Sequence, residues 1–202
     1  MNIVKIVEEI NVVCHGNADR LETWYRACSD VEQAIASIDW PHGSGSFKLN
    51  PGTTKNANGV VPIKIPGIVK LRELGWKTES LPRELAGVRM GNLDAVLETE
   101  EGVIGFEWET GNISSSHRAA NKIIHAMLKG GLIGGILVVP AESMRRYLTD
   151  RIGNITELRA YFPVWSAVNI NAGVFRVVAI EYDQLDSNVP LIPKGRDGMA
   201  MR

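Results

Sequence analysis

The chain has 202 residues, 45 % of them apolar and 22 % charged, with a formal net charge of −1. That length fits one domain (1–202) with a substantial core, and no run approaches the ~18–20 apolar residues of a membrane span. The near-neutral total neither announces a nucleic-acid binder nor excludes one, because a basic cleft can sit beside acidic patches.

Residues 1–14 mix charged and β-branched side chains and carry no small-residue cleavage site, so they do not read as a signal peptide. Cys14 and Cys28 are the only cysteines, and the expectation is two reduced thiols in a cytoplasmic protein. With His15, His42, His117 and His125 scattered along the chain, they cannot make a zinc cluster. Residues 17–38 predict a helix, with Leu21, Trp24, Tyr25, Cys28, Val31 and Ile35 inward. Trp40-Pro41 stops it. Residues 42–58, rich in Gly, Ser, Asn and Thr, read as a long loop. Residues 59–64 look β-like, and 66–76 predict a helix with Ile68, Val69, Leu71 and Leu74 inward.

The centre is more legible. Residues 93–98 and 103–109 predict two strands joined through Thr99-Glu-Glu-Gly102. Residues 114–129 predict a helix with serines at its start, 132–139 a buried strand, 141–152 a helix, 155–162 a short helix and 173–182 a strand. The extended tail begins near residue 188. Strands and helices mix around one sheet, which gives an α/β class with a central mixed β-sheet flanked by helices.

If Glu98 pairs with Val103, then Leu97 meets Ile104 and Asp94 falls opposite Glu107. Directly paired residues share a face, with Cβ atoms ~4.5–5.5 Å apart, and Glu109 shares it two residues on. The reverse face carries Leu93, Ala95, Leu97, Ile104, Phe106 and Trp108 and must be core. Three converging carboxylates repel unless a cation intervenes, and a hard divalent ion with oxygen ligands, such as Mg²⁺, resolves the conflict. The bland alternative is a solvated acidic face. After the hairpin come Ser114, Ser115 and Ser116 at a helix start, then Arg118, Lys122, His125 and Lys129 on one stripe. A free helix N-terminus and a basic stripe suit phosphate, although a capped amphipathic helix would look the same.

The run Phe106-Glu-Trp-Glu-Thr-Gly-Asn-Ile-Ser-Ser-Ser-His-Arg118 resembles the catalytic segment of the BamHI family of type II restriction endonucleases. So do Asn58-Gly-Val-Val-Pro-Ile-Lys64, Tyr147-Leu-Thr-Asp-Arg151 and Ser187-Asn-Val-Pro-Leu-Ile-Pro-Lys-Gly195, in the same order; the first forty residues align poorly. The resemblance implies the restriction-endonuclease-like core of the PD-(D/E)xK nucleases, with Glu109 where most of that class has Lys. It implies two Mg²⁺ ions per active site, with Mn²⁺ as a substitute. Asp94 would bridge them, Glu107 and the Trp108 carbonyl would complete one site, and Glu79 would serve the second, with Glu84 as its competitor. Glu109 would orient or deprotonate the attacking water. Lys64, Asn112, Ser114, Ser115, Arg118, Asp150 and Arg151 would contact DNA, with Gly195, Asp197 and Met199 as a short minor-groove arm. The implied substrate is double-stranded DNA at GGATCC, cut after the first G to leave 5′ GATC overhangs. It would be read by a homodimer in which the helices over 114–129 and 142–152 meet at the dyad. A cognate DNA methyltransferase is the expected companion in the host.

Overall fold

The computed structural model describes residues 5–55, 57–149 and 151–194. Strand β1 (Lys5–His15) pairs antiparallel with the strand over Gly173–Glu181 at the sheet edge. Sequence reading predicts no strand there, and the reason is visible: the register slips between Ile6 and Glu8 and again between Asn11 and Val13. Each bulge breaks the two-residue alternation by which a strand is recognised.

Helix α1 (Glu22–Ala36) buries Trp24, Ala27, Val31, Ala34 and Ile35 at three-to-four spacing. Tyr25, predicted inward, is 62 % exposed. After the short strand β2 (Lys48–Leu49) comes α2 (Val61–Glu73), which replaces the β-like run expected over 59–64. Val61 and Ile63 favour strand locally, but Pro62 lies in the first turn, where its missing N–H is harmless. The face Ile63, Gly67 and Leu71 is fully inward, while Val69, predicted inward, points out. Gly67 has a packing reason: a Cβ there would lie 2.7 Å from Trp108 Cζ3. Gly67→Val should therefore lower stability by roughly 1–3 kcal/mol or more, read as a shifted urea midpoint. A neutral result would mean that α2 does not sit against the Trp108 ring.

Strand β3 (Lys77–Ser80) leads through a 3₁₀ turn at Arg83–Leu85 to β4 (Leu93–Thr99) and β5 (Gly102–Trp108). Thr99 pairs with Gly102, so the hairpin turn is Glu100-Glu101. Helix α3 (Ile113–Leu128) crosses over to β6 (Gly134–Pro140), parallel to β5. One turn of helix α4 (Glu142–Arg145) follows, in place of the helix predicted over 141–152. The chain leaves helix there because Asn58 draws off the Tyr147 carbonyl through its backbone N–H (2.9 Å) and its Nδ2 (3.0 Å), and Ile152 bridges to Asn112. The single helix expected over 155–162 is split into α5 (Ile155–Arg159) and α6 (Phe162–Ser166). Strand β7 (Gly173–Glu181) completes the sheet, and β8 (Gln184–Leu185) pairs with β2.

The sheet order is β1-β7-β6-β5-β4-β3, mixed parallel and antiparallel. One core, with Trp24, Ile63, Leu71, Phe106 and Trp108, lies under α1 and α2; the other, with Ala120, Ile123, Leu137, Trp165 and Phe175, lies under α3, α5 and α6. The tail is pinned at its start. Ile192 is buried, its N–H donates to Asn58 Oδ1 (3.0 Å), and Trp40 Nε1 donates to the Pro190 carbonyl (2.8 Å). No helix among the described residues is long and apolar enough to cross a membrane.

Candidate metal centre and nucleic-acid interface

The hairpin adopts the expected register: Glu98 with Val103, Leu97 with Ile104 and Ala95 with Phe106. Continuing that count sets Asp94 across from Glu107. Ala95, Leu97, Ile104, Phe106 and Trp108 form the apolar back as predicted, whereas Leu93 turns into the opposite core with Val96. Asp94 is 8 % exposed and Glu107 2 %, with Glu109 half-buried beside them. The Trp108 N–H donates to Asp94 Oδ2 (2.8 Å), which fixes the carboxylate at the end of the strand.

Two lysines answer this acidity. From α2, Lys64 donates to Asp94 Oδ1 (2.7 Å). From α3, the Lys122 ammonium lies against Glu107 Oε1 and also donates to the Asn92 carbonyl (2.8 Å). Even so, burial pushes the Glu107 carboxyl up to about 8, the Asp94 charge adds to the rise, and Lys122 opposes it. Burial likewise raises Glu109, opposed first by Lys64, while the Asp94 charge pushes it further up.

Among the described residues no three His, Cys, Asp or Glu side chains stand together as a ready-made metal cage. The donor chemistry nevertheless suits a hard cation: buried carboxylates raise one another's proton affinity, and each of Asp94 and Glu107 already has a lysine ammonium against it. Glu79 lies in β3 between Thr78, paired with Ala95, and Ser80, paired with Leu93. By that count it falls across from Asp94. It is exposed, with φ 48°. Its competitor Glu84 sits in the separate 3₁₀ turn, also exposed.

Asn112, not a serine, caps α3; its Oδ1 accepts from the Ser115 N–H (3.0 Å). Asn prefers this position because its side-chain oxygen satisfies an otherwise orphan donor. A cleft of about 760 Å³ runs along the helix, walled by Ser114, His117, Arg118, Lys122 and His125 and faced by Arg89 and Met90 from the glycine-bounded loop before β4. Lys129, expected on the same stripe, is the helix C-cap. Sequence reading missed Arg89; its only signal was a basic residue between Gly87 and Gly91. His117 packs edge-on to Tyr161 (ring centroids 4.3 Å apart) and near Trp165 (5.7 Å), so its ring is held by aromatic packing.

The antiparallel bridge between Asn112 and Ile152, supported by Gly153 N–H to Gly111 O (3.0 Å), brings the segment carrying Arg151 to the start of α3. A hollow of about 360 Å³ there gathers Asn112, Ser114 and Arg151, together with Arg145 and Glu157, which sequence reading had not singled out. Arg151 has φ 63°. Asn17, Glu79 and Arg151 are the described non-glycine residues with positive φ, and such backbone states gather at functional sites. Asp150, Gly195, Asp197 and Met199 lie outside the described residues.

A family model described as "Restriction endonuclease BamHI" matches residues 4–199. The chain is 45 % identical over 174 residues to the type II restriction enzyme OkrAI of Oceanobacter kriegii, covering 86 % of this chain and 89 % of that one. It is 36 % identical over 185 residues to the type II restriction enzyme BamHI of Bacillus amyloliquefaciens, covering 88 % and 84 %. Among solved structures, restriction endonuclease BglII complexed with a DNA 16-mer superposes with a TM-score of 0.59 at 12 % identity, over 89 % of this chain and 79 % of the other, a likeness of fold.

Proposed function

The chain belongs to the BamHI family of type II restriction endonucleases, and from that premise we propose that it cuts double-stranded DNA at GGATCC after the first G, leaving 5′ GATC overhangs. One observation carries the reading furthest: the buried acids Asp94 and Glu107, with Glu109 beside them, stand next to a helix start that is bridged to the Arg151 segment. On this reading a cutting centre would lie beside the base-reading side chains.

Asp94, Glu107, the Trp108 carbonyl and Glu79 would hold Mg²⁺, two ions per site, with Mn²⁺ as a substitute. The bound metal supplies charge neutralisation at the scissile phosphate and the leaving 3′ oxygen and acidifies water. Glu109 takes the proton of the attacking water; its raised proton affinity makes it a better base than an exposed carboxylate. Attack is in line, the bond from phosphorus to O3′ breaks, and the products carry a 5′-phosphate and a 3′-hydroxyl. Arg151 and Arg118 can chelate guanine O6 and N7, Asp150 can accept from cytosine N4, and Asn112, Ser114 and Ser115 offer further donors and acceptors. Lys64, which donates to Asp94, would also contact DNA. Gly195, Asp197 and Met199 form the minor-groove arm.

A palindrome calls for a two-fold homodimer. With α4 reduced to one turn, α3 is the long helix left for that contact. The chain acts as one cytoplasmic domain, and a methyltransferase protects host sites. Digestion of sequenced plasmid DNA with Mg²⁺ and sequencing of the fragment ends tests the whole. Cuts at GGATCC with GATC overhangs support it, and discrete cuts elsewhere overturn the base-reading assignments. Arg89 lines the cleft and would meet phosphate there, so Arg89→Ala should weaken binding to cognate and random duplexes alike and reduce the salt slope by about 1. A change confined to cognate DNA would count against that role.

A further inference from the structure

Glu107 is 2 % exposed, and among the described residues the Lys122 ammonium is the cation in contact with its Oε1. The Lys122 side chain is itself only 15 % exposed and is held from a second side by the Asn92 carbonyl (2.8 Å). A buried carboxylate deprived of its counter-charge is strongly destabilising, so without metal this lysine is what makes the charged form tolerable. On its other side Lys122 belongs to the wall of the basic cleft, with Arg118 and His125. An ammonium leaving Glu107 thus has a route toward phosphate rather than into the core.

We propose that Lys122 is a placeholder for the divalent cation: it sits on Glu107 in the metal-free protein and is displaced toward the cleft when the cation binds. The proposal rests on the reading of Glu107 as a metal ligand. It makes Lys122 a positioning residue that competes with metal for one carboxylate. An opposite charge at contact range alters a carboxylate's affinity for a proton by roughly 10- to 1,000-fold, and a competing cation feels the same barrier.

The test is calorimetric titration of the full chain with Mg²⁺ alone, without DNA. Lys122→Met should bind Mg²⁺ at least about tenfold more tightly than the unaltered protein, and its melting temperature should fall in EDTA and recover with Mg²⁺. Lys122→Arg, which keeps the charge and pairs with carboxylates through two donors, should bind Mg²⁺ more weakly; it keeps the proposal testable if Lys122→Met does not fold. Unchanged affinity in either variant overturns the exchange. Glu107→Gln separates the two ideas: if it binds Mg²⁺ as well as the unaltered protein, the metal-ligand reading of Glu107 falls, and the placeholder with it.

Discussion

Asp94→Asn should abolish cleavage while leaving a folded protein that still binds DNA. The substitution is nearly isosteric, and an Asn side-chain oxygen can still accept from the Trp108 N–H, the bond that now fixes Asp94 Oδ2 at 2.8 Å. Its amide would then face Lys64, which now donates to Asp94 Oδ1, and two donors cannot bond. Lys64, with 35 % of its side chain exposed, can turn to solvent, so the fold loses one partly exposed ion pair, about 0–1 kcal/mol. If Asp94 holds metal as proposed, the centre would lose an anionic ligand, and a Lewis-acid contribution of several kcal/mol would go with it. At ~1.4 kcal/mol per decade that is a rate loss of about 10³-fold or more. Duplex affinity, measured in EDTA, should rise, because one negative charge fewer faces the phosphates. Cleavage within tenfold of the unaltered rate would remove Asp94 from the centre of the mechanism.

The hairpin that carries Asp94, Glu107 and Glu109 was readable because strand alternation over an apolar back fixes which side chains share a face, and a short Gly-closed turn fixes the register. Leu93 is the exception; it stands at the first position of the strand and turns into the other core. The lysines were not readable as partners. Lys64 and Lys122 come from two helices on opposite sides of the sheet and meet the acids only through tertiary structure. In sequence one looks like a DNA contact and the other like part of a solvated stripe. The predicted helix over 141–152 failed for a similar reason: Asn58, far away in sequence, withdraws a carbonyl that the helix would need. The bridge at Ile152, which also keeps this stretch out of helix, carries the Arg151 segment to Asn112, so one tertiary contact both defeats the predicted helix and brings these two candidate residues together.

Without metal, the protein should lose stability as pH rises from about 4.5 to about 8, and Glu107→Gln should flatten that slope. The ordinary carboxyl value is 4.5, and burial raises that of Glu107 to about 8 in the folded chain. Between these values the folded state holds a proton that the unfolded chain has released. Stability falls with pH wherever the unfolded state binds fewer protons, so the protonated carboxyl is favourable at the acid end and its benefit is gone above the folded value. The span corresponds to about 4–5 kcal/mol at most, acting against the general loss of stability at low pH that other carboxylates impose. Gln cannot ionise, so melting in EDTA across this range should show the variant gaining on the unaltered protein as pH increases. Saturating Mg²⁺ should close the gap by stabilising the ionised carboxylate, which Gln cannot match. Parallel pH profiles in EDTA would mean that Glu107 is already ionised beside Lys122 in the folded, metal-free state, and that the ammonium alone outweighs burial.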